Sequence, residues 1–208
     1  MTLPADLGHV RWIGGGSGAG KSTVAEELAR RHGAALYHVE PPSRYTRRTT
    51  SESAPLRHAF AAMTMDERWV QRSPREMMET FHAFQGESFE LVVEDLLARP
   101  RETVIVEGFS LLPRLVVPLL ADASHAVWLL PTPAFRRAAF EARGSTWAIA
   151  GRTGDPPRAL RNLLERDALF TDELRRQAAA VGARTVEVDG CLTAGQAADD
   201  VGRMLGLA

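Results

Sequence analysis

The chain has 208 residues, 45% of them hydrophobic and 25% charged, a balance typical of a globular protein, and we predict a single domain over residues 1–208. Its formal net charge of −1 gives no overall attraction to polyanions, so neither nucleic acid nor a membrane is an expected partner. A lone cysteine, Cys191, excludes an intramolecular disulfide, and no signal peptide or membrane span is visible, so we expect a cytoplasmic protein. The oligomeric state stays open.

A glycine-rich stretch fits the pattern G-x-x-x-x-G-K-[ST] of a phosphate-binding loop. Glycine adopts backbone conformations closed to other residues, which lets main-chain N–H groups approach phosphate oxygens. Lys21, the only lysine among 25 Lys and Arg residues, is predicted to contact the β- and γ-phosphates, and the Ser22 hydroxyl to bind Mg²⁺. The alternative is a glycine-rich turn that binds nothing. The predicted nucleotide-binding residues of the loop are Gly15, Gly16, Ser17, Gly18, Ala19, Gly20, Lys21, Ser22 and Thr23.

Apolar segments separated by amphipathic ones predict alternating strands and helices. In chain order, the predicted strands lie at residues 10–13, 35–39, 103–106, 125–130 and 185–188. The predicted helices lie at residues 21–32, 56–71, 74–98, 111–120, 133–143, 158–170, 172–181 and 194–205, with Thr171 as a helix cap. Residues 91–95 look like a strand that ends in two acids, but the apolar spacing near 3.6 residues favours a helix there. This order predicts an α/β fold of three layers, a parallel five-stranded sheet with helices on both faces.

Acidic residues follow two of the predicted strands. The carboxyl ends of parallel strands meet at the ligand-binding edge of such sheets, so Glu40 and Glu107 are expected beside the loop. Phosphoryl transfer needs Mg²⁺ and sometimes a carboxylate that takes the proton of the acceptor. Glu107 is predicted to hold Mg²⁺ with Ser22 or to act as the base. Glu40 is the second candidate for base or acceptor ligand, and its alternative is an exposed carboxylate before two prolines.

Two further segments complete the predicted site. Residues 41–73 are the predicted acceptor-binding region, where Arg44, Arg47 and Arg48 suit an anionic acceptor because guanidinium groups pair well with phosphate and carboxylate. A solvated basic loop explains these three arginines equally well. Residues 144–157 are rich in glycine, threonine and proline, a composition typical of a mobile flap.

The motifs in this order resemble the P-loop kinases, the superfamily of nucleotide, nucleoside and small-metabolite kinases. Residues 104–108, Val-Ile-Val-Glu-Gly, are similar to the strand that ends in Glu-Gly in uridine-kinase-like and 2-phosphoglycerate-kinase-like members. Residues 186–190 resemble the last strand of that group, which implies that Asp189 and Gly190 line the adenine of ATP.

The resemblance also implies a P-loop kinase-like fold with a lid over the phosphates, at residues 136–157 in this chain. Four arginines lie there, at positions 136, 137, 143 and 152, and two of them flank the flap. Arg143 is therefore predicted to be catalytic, with Lys21, Glu107 and Glu40, and Arg152 to bind the nucleotide.

We therefore expect a phosphotransferase, dependent on ATP and Mg²⁺, that moves the γ-phosphoryl group to a small-molecule acceptor, at a hydroxyl group. Two alternatives stay open: an ATP-hydrolysing switch that acts on a protein partner, and a polynucleotide 5′-hydroxyl kinase. The near-neutral charge and the lack of a basic, aromatic track disfavour the second alternative. The sequence has no Asn-Lys-x-Asp motif, which disfavours a GTPase.

Overall fold

A computed structural model describes residues 4–39, 43–143 and 145–207. Its five strands form one sheet in the order β2-β3-β1-β4-β5, and all four neighbouring pairs are parallel. The three central strands, β3, β1 and β4, are almost wholly buried, as expected of strands rich in Val, Ile, Leu and Trp with helices on both sides. The strands are β1 (Val10–Gly15), β2 (Ala35–His38), β3 (Val104–Glu107), β4 (Ala126–Pro131) and β5 (Thr185–Val188).

Helices cover both faces of the sheet, which confirms the predicted three-layer α/β fold. Alternate strand residues point to opposite faces: Trp12 belongs to one apolar cluster and Ile13 to the other. The cluster around Ile13 is completed by α1 and α11, and the cluster around Trp12 by α6, α7 and α10. The helices of the described residues are α1 (Lys21–His32), α2 (Ser43–Thr46), α3 (Pro55–Ala62), α4 (Pro74–Thr80), α5 (His82–Gln85), α6 (Phe89–Leu97), α7 (Pro113–Val116), α8 (Pro133–Arg143), α9 (Ser145–Ala150), α10 (Pro156–Val181) and α11 (Ala194–Met204).

The predicted helix at residues 74–98 is wrong, because the chain forms three short helices there. Phe81, between α4 and α5, is extended, with φ −81° and ψ 112°. Gly86 ends α5 in the left-handed conformation, with φ +80°, and Ser88 precedes α6 with φ +69°. Beside these breaks the ring of Phe84 packs edge-on against the rings of Phe81 and Phe109.

The predicted helix at residues 56–71 is also interrupted. Its first half is α3, and a wide π-type turn at Glu67–Gln71 follows. Between them the Thr64 N–H donates to Glu67 Oε2 at 2.7 Å, and the Glu67 N–H donates to Thr64 Oγ1 at 3.2 Å. This reciprocal capping ends one helix and starts a new turn.

In contrast, two helices predicted at residues 158–170 and 172–181 form the single helix α10. Thr171 does not cap a helix; its hydroxyl donates to the Asp167 carbonyl at 2.9 Å, one turn earlier. The predicted flap is likewise more regular than expected, because α9 occupies part of it. The part of the chain that the structure describes contains no helix long and apolar enough to cross a membrane.

The first residue of α5, a histidine, is buried in the core. His82 is 3% exposed, and its ring centroid lies 4.6 Å from that of Phe81 and 5.8 Å from that of Phe60. Its Nδ1 atom is buried with no hydrogen-bond partner among the described residues. Burial, and secondarily the positive charge of Arg57, lowers the pKa of His82 to about 3. The imidazole is therefore neutral in the folded protein at neutral pH.

His82→Phe is expected to weaken the loss of stability on acidification. The unfolded chain binds a proton at His82 below about pH 6.5 and the folded chain only below about pH 3, so the free energy of unfolding falls as pH decreases between these values. The contribution is about 1.4 kcal/mol per pH unit for one proton. Urea unfolding at several values between pH 7 and pH 4.5 measures it. Phe81→Leu, a core change without a titrating group, should keep the wild-type slope; an unchanged slope in His82→Phe would contradict the prediction.

Candidate active site

The phosphate loop connects the carboxyl end of β1 to the amino end of α1. Gly15 has φ +132°, and a Cβ atom on it would lie 2.1 Å from the Leu129 carbonyl oxygen, so only glycine fits beside β4. Gly20 has φ +79° and caps α1, and no atom would lie within 4 Å of a Cβ atom there. Residues 18–22, at the start of the twelve-residue helix α1, line an open cleft that is described below, as a phosphate site requires.

Lys21 lies at the floor of this loop. Its side chain is buried, and Nζ donates a hydrogen bond to the Gly16 carbonyl oxygen at 2.9 Å. The ammonium is therefore folded over the loop, where its charge faces the cleft described below. This position suits a compact cation that contacts phosphate oxygens.

The end of β3 brings a carboxylate to the start of α1. Glu107 is 4% exposed, and its Oε1 atom accepts a hydrogen bond from Ser22 Oγ at 3.1 Å. The same oxygen lies 2.7 Å from Nδ1 of His38, the last residue of β2. Two neighbouring strand ends and the phosphate loop therefore meet at one carboxylate, as the strand-end rule predicts.

These groups surround an open cleft of about 470 Å³, here called the loop cleft. A serine hydroxyl and one carboxylate are hard oxygen donors, and Mg²⁺ in phosphate sites is held by one or two protein oxygens together with phosphate and water. The donor set thus fits Mg²⁺, and no larger cluster of His, Cys, Asp or Glu suited to a metal occurs among the described residues. The lining residues are Ser17, Gly18, Ala19, Gly20, Lys21, Ser22, Glu26, His38, Glu107, Phe109 and Phe140.

A second cavity of about 290 Å³ adjoins the loop cleft, and we call it the aromatic pocket. Three residues, Ser17, Phe109 and Phe140, line both spaces. Its other walls come from α3, the π-type turn, α4–α5, α9 and α10. The lining residues are Ser17, Phe60, Trp69, Phe81, Phe84, Phe109, Phe140, Ile149, Leu163, Arg166 and Asp167.

No family model matches this chain, and no curated protein sequence is significantly similar to it. Among solved structures, deoxyadenosine kinase from M. mycoides with bound dATP superposes with a TM-score of 0.51 at 12% identity, over 95% of this chain and 99% of that chain. Together with the parallel sheet and the phosphate loop after β1, this likeness decides the fold. The chain has a P-loop kinase fold.

Two other solved structures with lower TM-scores also match nearly the whole chain. YorR from Bacillus subtilis, in complex with phosphorylated GDP, is 15% identical over 95% of this chain and 96% of that chain, with a TM-score of 0.47. Shikimate kinase from Acinetobacter baumannii, in complex with shikimate, is 16% identical over 98% of this chain and 96% of that chain, with a TM-score of 0.43.

One arginine of α8, Arg136, contacts the phosphate loop directly. It is 1% exposed, its Nε donates to the Ser17 carbonyl oxygen at 3.3 Å, and its Nη2 donates to Thr171 Oγ1. Burial lowers the pKa of this guanidinium, although the nearby charge of Asp167 partly offsets the effect. The sequence analysis placed Arg136 in the lid without preferring it. Its spacing of four residues from Phe140 on one helix face was the available signal.

Arg136→Met is expected to lower the free energy of unfolding by about 1–3 kcal/mol, because the Ser17 carbonyl loses a charged hydrogen-bond donor in a partly buried setting. The neighbouring Arg137 is exposed, so Arg137→Met provides a control with the same change of charge. Its unfolding free energy should stay within about 0.5 kcal/mol of wild type. Denaturant titration of the two variants checks the difference, and equal stabilities would refute a structural role for Arg136.

The remaining predicted residues of the lid and the strand ends are either away from the loop cleft or outside the described part of the chain. Arg152 is exposed and is not among the residues that line the loop cleft. Arg143 ends α8, but its side chain lies outside what the structure describes, and Glu40 lies outside the described residues altogether. Their predicted roles stay predictions.

The three arginines of the acceptor-binding region are not part of the described lining of the loop cleft. The Arg44 guanidinium lies 4.8 Å from the Tyr37 ring centroid. Arg48 pairs with Asp95 at 2.5 Å and with Glu94 at 3.2 Å, and Arg47 is exposed. Arg44 lines another open groove, of about 500 Å³ along β2 and α6, and His38 lines both this groove and the loop cleft.

Asp189 and Gly190 lie at the end of β5, where a small apolar cavity of about 50 Å³ separates them from α1. Ala19 of the phosphate loop lines both this cavity and the loop cleft. The backbone N–H of Cys191 donates to Asp189 Oδ1 at 2.9 Å, and this bond lowers the pKa of the Asp189 carboxyl. The strand end is therefore ordered beside the loop.

Arg166 and Asp167 on α10 are polar groups of the aromatic pocket that sequence reasoning missed. Both are buried, and Arg166 donates to Asp167 Oδ1 from Nε at 2.8 Å and from Nη2 at 2.6 Å. A signal was present in the sequence, because Leu163, Phe170 and Leu174 share the inner spacing of α10 with Asp167. A charged residue at an inward helix position indicates a buried polar site.

Proposed function

We propose that the chain is an ATP- and Mg²⁺-dependent phosphotransferase that moves the γ-phosphoryl group to a hydroxyl of a small-molecule acceptor. One observation carries the proposal: the loop cleft and the aromatic pocket meet at Ser17, Phe109 and Phe140. A kinase needs a nucleotide site and an acceptor site side by side, whereas a nucleotide-hydrolysing switch needs only the first. The aromatic pocket lies between the predicted acceptor region, through Phe60 and Trp69, and the predicted lid.

In this proposal the loop and the start of α1 hold the phosphates of ATP, and Lys21 contacts the β- and γ-phosphates. The small apolar cavity at Asp189 and Gly190 accommodates one edge of the adenine. Ser22 and Glu107 would hold Mg²⁺, which supplies charge neutralisation on the phosphates. Arg136 fixes the Ser17 backbone of the loop and so positions the phosphate site. The residues with these assigned roles lie at one edge of the sheet.

The transfer step needs a proton acceptor for the hydroxyl. The hydroxyl oxygen forms a bond to the γ-phosphorus, the bond to the bridging oxygen of ADP breaks, and the hydroxyl proton passes to a base. In this proposal Glu107 has one of two roles: it holds Mg²⁺ with Ser22, or it takes this proton together with His38, whose Nδ1 lies 2.7 Å away at the edge of the loop cleft. Glu40, Arg143 and Arg152 keep the roles that the sequence analysis predicts for them.

Acceptor-dependent ADP release tests the proposal. The protein is mixed with ATP, Mg²⁺ and a panel of nucleosides, sugars, glycerates and hydroxylated antibiotics, and the phosphorylated product is identified by mass spectrometry. We expect turnover with at least one acceptor and none when Mg²⁺ is chelated. Tight ATP binding with slow hydrolysis that no acceptor changes would overturn the kinase proposal and favour the switch.

A further inference from the structure

Thr171 lies on α10 at the point where this helix passes the phosphate loop. Its neighbours Phe170 and Leu174 are wholly buried, and the Phe170 ring stacks on that of Phe84 with 3.7 Å between the ring centroids. Thr171 itself is 3% exposed. Core packing therefore holds this segment of α10, and the threonine side chain with it, in a fixed place.

The Thr171 hydroxyl uses both its donor and its acceptor capacity. It donates its proton to the Asp167 carbonyl oxygen at 2.9 Å, and Oγ1 accepts from Nη2 of Arg136, because a guanidinium can only donate. The bond to Asp167 is a common local feature of threonine in helices and by itself indicates only a structural role. The bond from Arg136 joins α10 to α8 across 35 residues, and helix formation does not explain it.

The hydroxyl also touches the phosphate loop directly. A Cβ atom on Gly16 would lie 2.7 Å from Thr171 Oγ1 and 2.8 Å from Cδ of Pro131, so Gly16 is packed between α10 and the end of β4. The Gly16 carbonyl oxygen accepts the hydrogen bond from Nζ of Lys21 at 2.9 Å. Thr171 thus supports the peptide unit that orients the lysine.

Arg136 supplies a second link between Thr171 and the loop. Its side chain is almost wholly buried, with Nη2 bonded to Thr171 Oγ1 and Nε to the Ser17 carbonyl oxygen at 3.3 Å. A buried guanidinium needs acceptors for its donors. Loss of the threonine hydroxyl would remove the acceptor of Nη2 and loosen the hold of this side chain on Ser17.

We propose that Thr171 is a positioning residue for the phosphate loop, whose hydroxyl holds Gly16 by direct contact and Ser17 through Arg136. It fixes the backbone that binds the phosphates of ATP without touching the nucleotide, since the described lining of the loop cleft does not include Thr171. The inference rests on the part of the proposed function that assigns ATP to the loop. It does not depend on transfer to an acceptor.

Three substitutions separate the hydroxyl from the shape of the side chain. Thr171→Val keeps the branched shape and removes the hydroxyl, whereas Thr171→Ser keeps the hydroxyl. Thr80→Val is the matched control. The Thr80 hydroxyl, on α4, also donates to a carbonyl four residues earlier, that of Glu76, and also accepts from an arginine, Arg72, at 2.7 Å. The described lining of the loop cleft does not include Thr80.

Calorimetric titration of the full chain with ATP and Mg²⁺ measures the effect. We expect the Kd for ATP to rise at least about tenfold in Thr171→Val, because a displaced loop loses charge-assisted hydrogen bonds to the phosphates. Thr171→Ser and Thr80→Val should stay within about threefold of wild type, since both leave the hydroxyl at position 171 in place. Urea unfolding of all three variants shows that folded protein is compared.

A second readout needs no nucleotide. Lys21 is the only lysine, and it is buried against Gly16, so a loosened loop should expose it to an amine-reactive reagent. Without ATP, peptide mapping should show Lys21 labelled at least about threefold faster in Thr171→Val than in wild type. The labelling rate in Thr171→Ser and in Thr80→Val should equal that of wild type.

Arg136→Lys tests the same link from its other end and keeps the proposal testable if Thr171→Val does not fold. A single ammonium keeps the charge but lacks the planar fork that reaches both Ser17 and Thr171, so the Kd for ATP should again rise at least about tenfold. In the double variant Arg136→Lys with Thr171→Val, the two losses should not multiply, because both changes break one connected set of contacts. Multiplicative losses would show that the two residues act independently and would contradict the link through Arg136.

The outcomes separate this inference from the proposed function. If Thr171→Val loses ATP affinity as expected but no acceptor is phosphorylated by the wild-type protein, the positioning role stands and the proposed transfer fails. If Thr171→Val phosphorylates an acceptor with the wild-type KM for ATP and the wild-type labelling rate of Lys21, the proposed function stands and the positioning role is overturned. An equal loss of affinity in Thr80→Val or in Thr171→Ser also overturns the positioning role. Absence of ATP binding by the wild-type protein overturns both.

Discussion

Lys21→Met is expected to reduce phosphoryl transfer by about 100-fold or more, while the fold is kept. The ammonium lies buried over the phosphate loop, 2.9 Å from the Gly16 carbonyl oxygen. In this position it can stabilise the negative charge that develops on the phosphoryl group during transfer. Removing one such preorganised charge from an active site costs about 10²–10³ in rate. Methionine has a similar length and no charge, so packing changes little. Steady-state ADP release with the best acceptor measures the loss, and circular dichroism checks the fold.

Lys21→Arg is the informative companion variant. The position is almost closed to solvent, and a planar guanidinium is wider than an ammonium, so charge alone should not restore the rate. We expect Lys21→Arg to stay within about tenfold of Lys21→Met. Recovery of near wild-type turnover would show that any cation serves there and would contradict the geometric argument.

The single lysine allows a test that does not depend on turnover. An amine-reactive reagent has one side-chain target in this chain, Lys21, besides the terminal amine, and peptide mapping separates the two. ATP should protect Lys21 from labelling, and a sugar that lacks phosphate should not. Labelling of Lys21 that ATP leaves unchanged would contradict nucleotide binding in the loop.

The parts of the site that follow from local rules could be predicted from the sequence. The phosphate loop is a continuous motif whose glycines are needed by the backbone itself, as Gly15 beside β4 illustrates. The meeting of Ser22 and Glu107, 85 residues apart, follows from the rule that parallel strands end at one edge. The same rule predicted the sheet, because five buried strands in alternation with helices leave few other arrangements.

The aromatic pocket could not be predicted, because its walls come from segments far apart in the chain, and two of its rings lie beside breaks in the helical pattern. Phe81 and Phe84 look like one stripe of a long helix, but Gly86 and Ser88 adopt left-handed conformations that end that helix. The spacing of hydrophobic residues does not reveal such breaks. Tertiary packing decides whether a short left-handed turn forms, because that packing must offset the conformational energy of the turn. Arg166 was missed for a related reason: its role depends on three rings from distant segments.

Arg136 shows the same limit. Its glycine-flanked neighbours in the predicted lid, Arg143 and Arg152, were preferred in the sequence, and their roles stay predictions. The structure buries Arg136 against Ser17 and Thr171, through contacts that span 119 and 35 residues. Contacts between residues so far apart in the chain produce no local pattern in an arginine-rich sequence.

Glu107→Gln is expected to lower kcat by about 100-fold or more. Glutamine keeps the shape of the side chain and can still accept a hydrogen bond from Ser22, so the change removes the negative charge and little else. The charge is needed whether the carboxylate holds Mg²⁺ or, with His38, takes the proton of the acceptor. Glu26 lies on the same cleft but is exposed, so Glu26→Gln is a matched control that should stay within about threefold of wild type.

The dependence of the Glu107→Gln variant on Mg²⁺ distinguishes the two roles. If Glu107 holds the metal, the Mg²⁺ concentration needed for half-maximal rate should rise at least about tenfold, because one of two protein oxygen ligands loses its charge. If it serves the base, the Mg²⁺ requirement should stay unchanged while kcat falls. His38→Gln separates the partners further: if the pair is the base, this variant should lower kcat and leave the Mg²⁺ requirement unchanged, because His38 contacts the carboxylate but not Ser22. Wild-type turnover in Glu107→Gln would exclude both roles and would leave the buried carboxylate with a purely structural function.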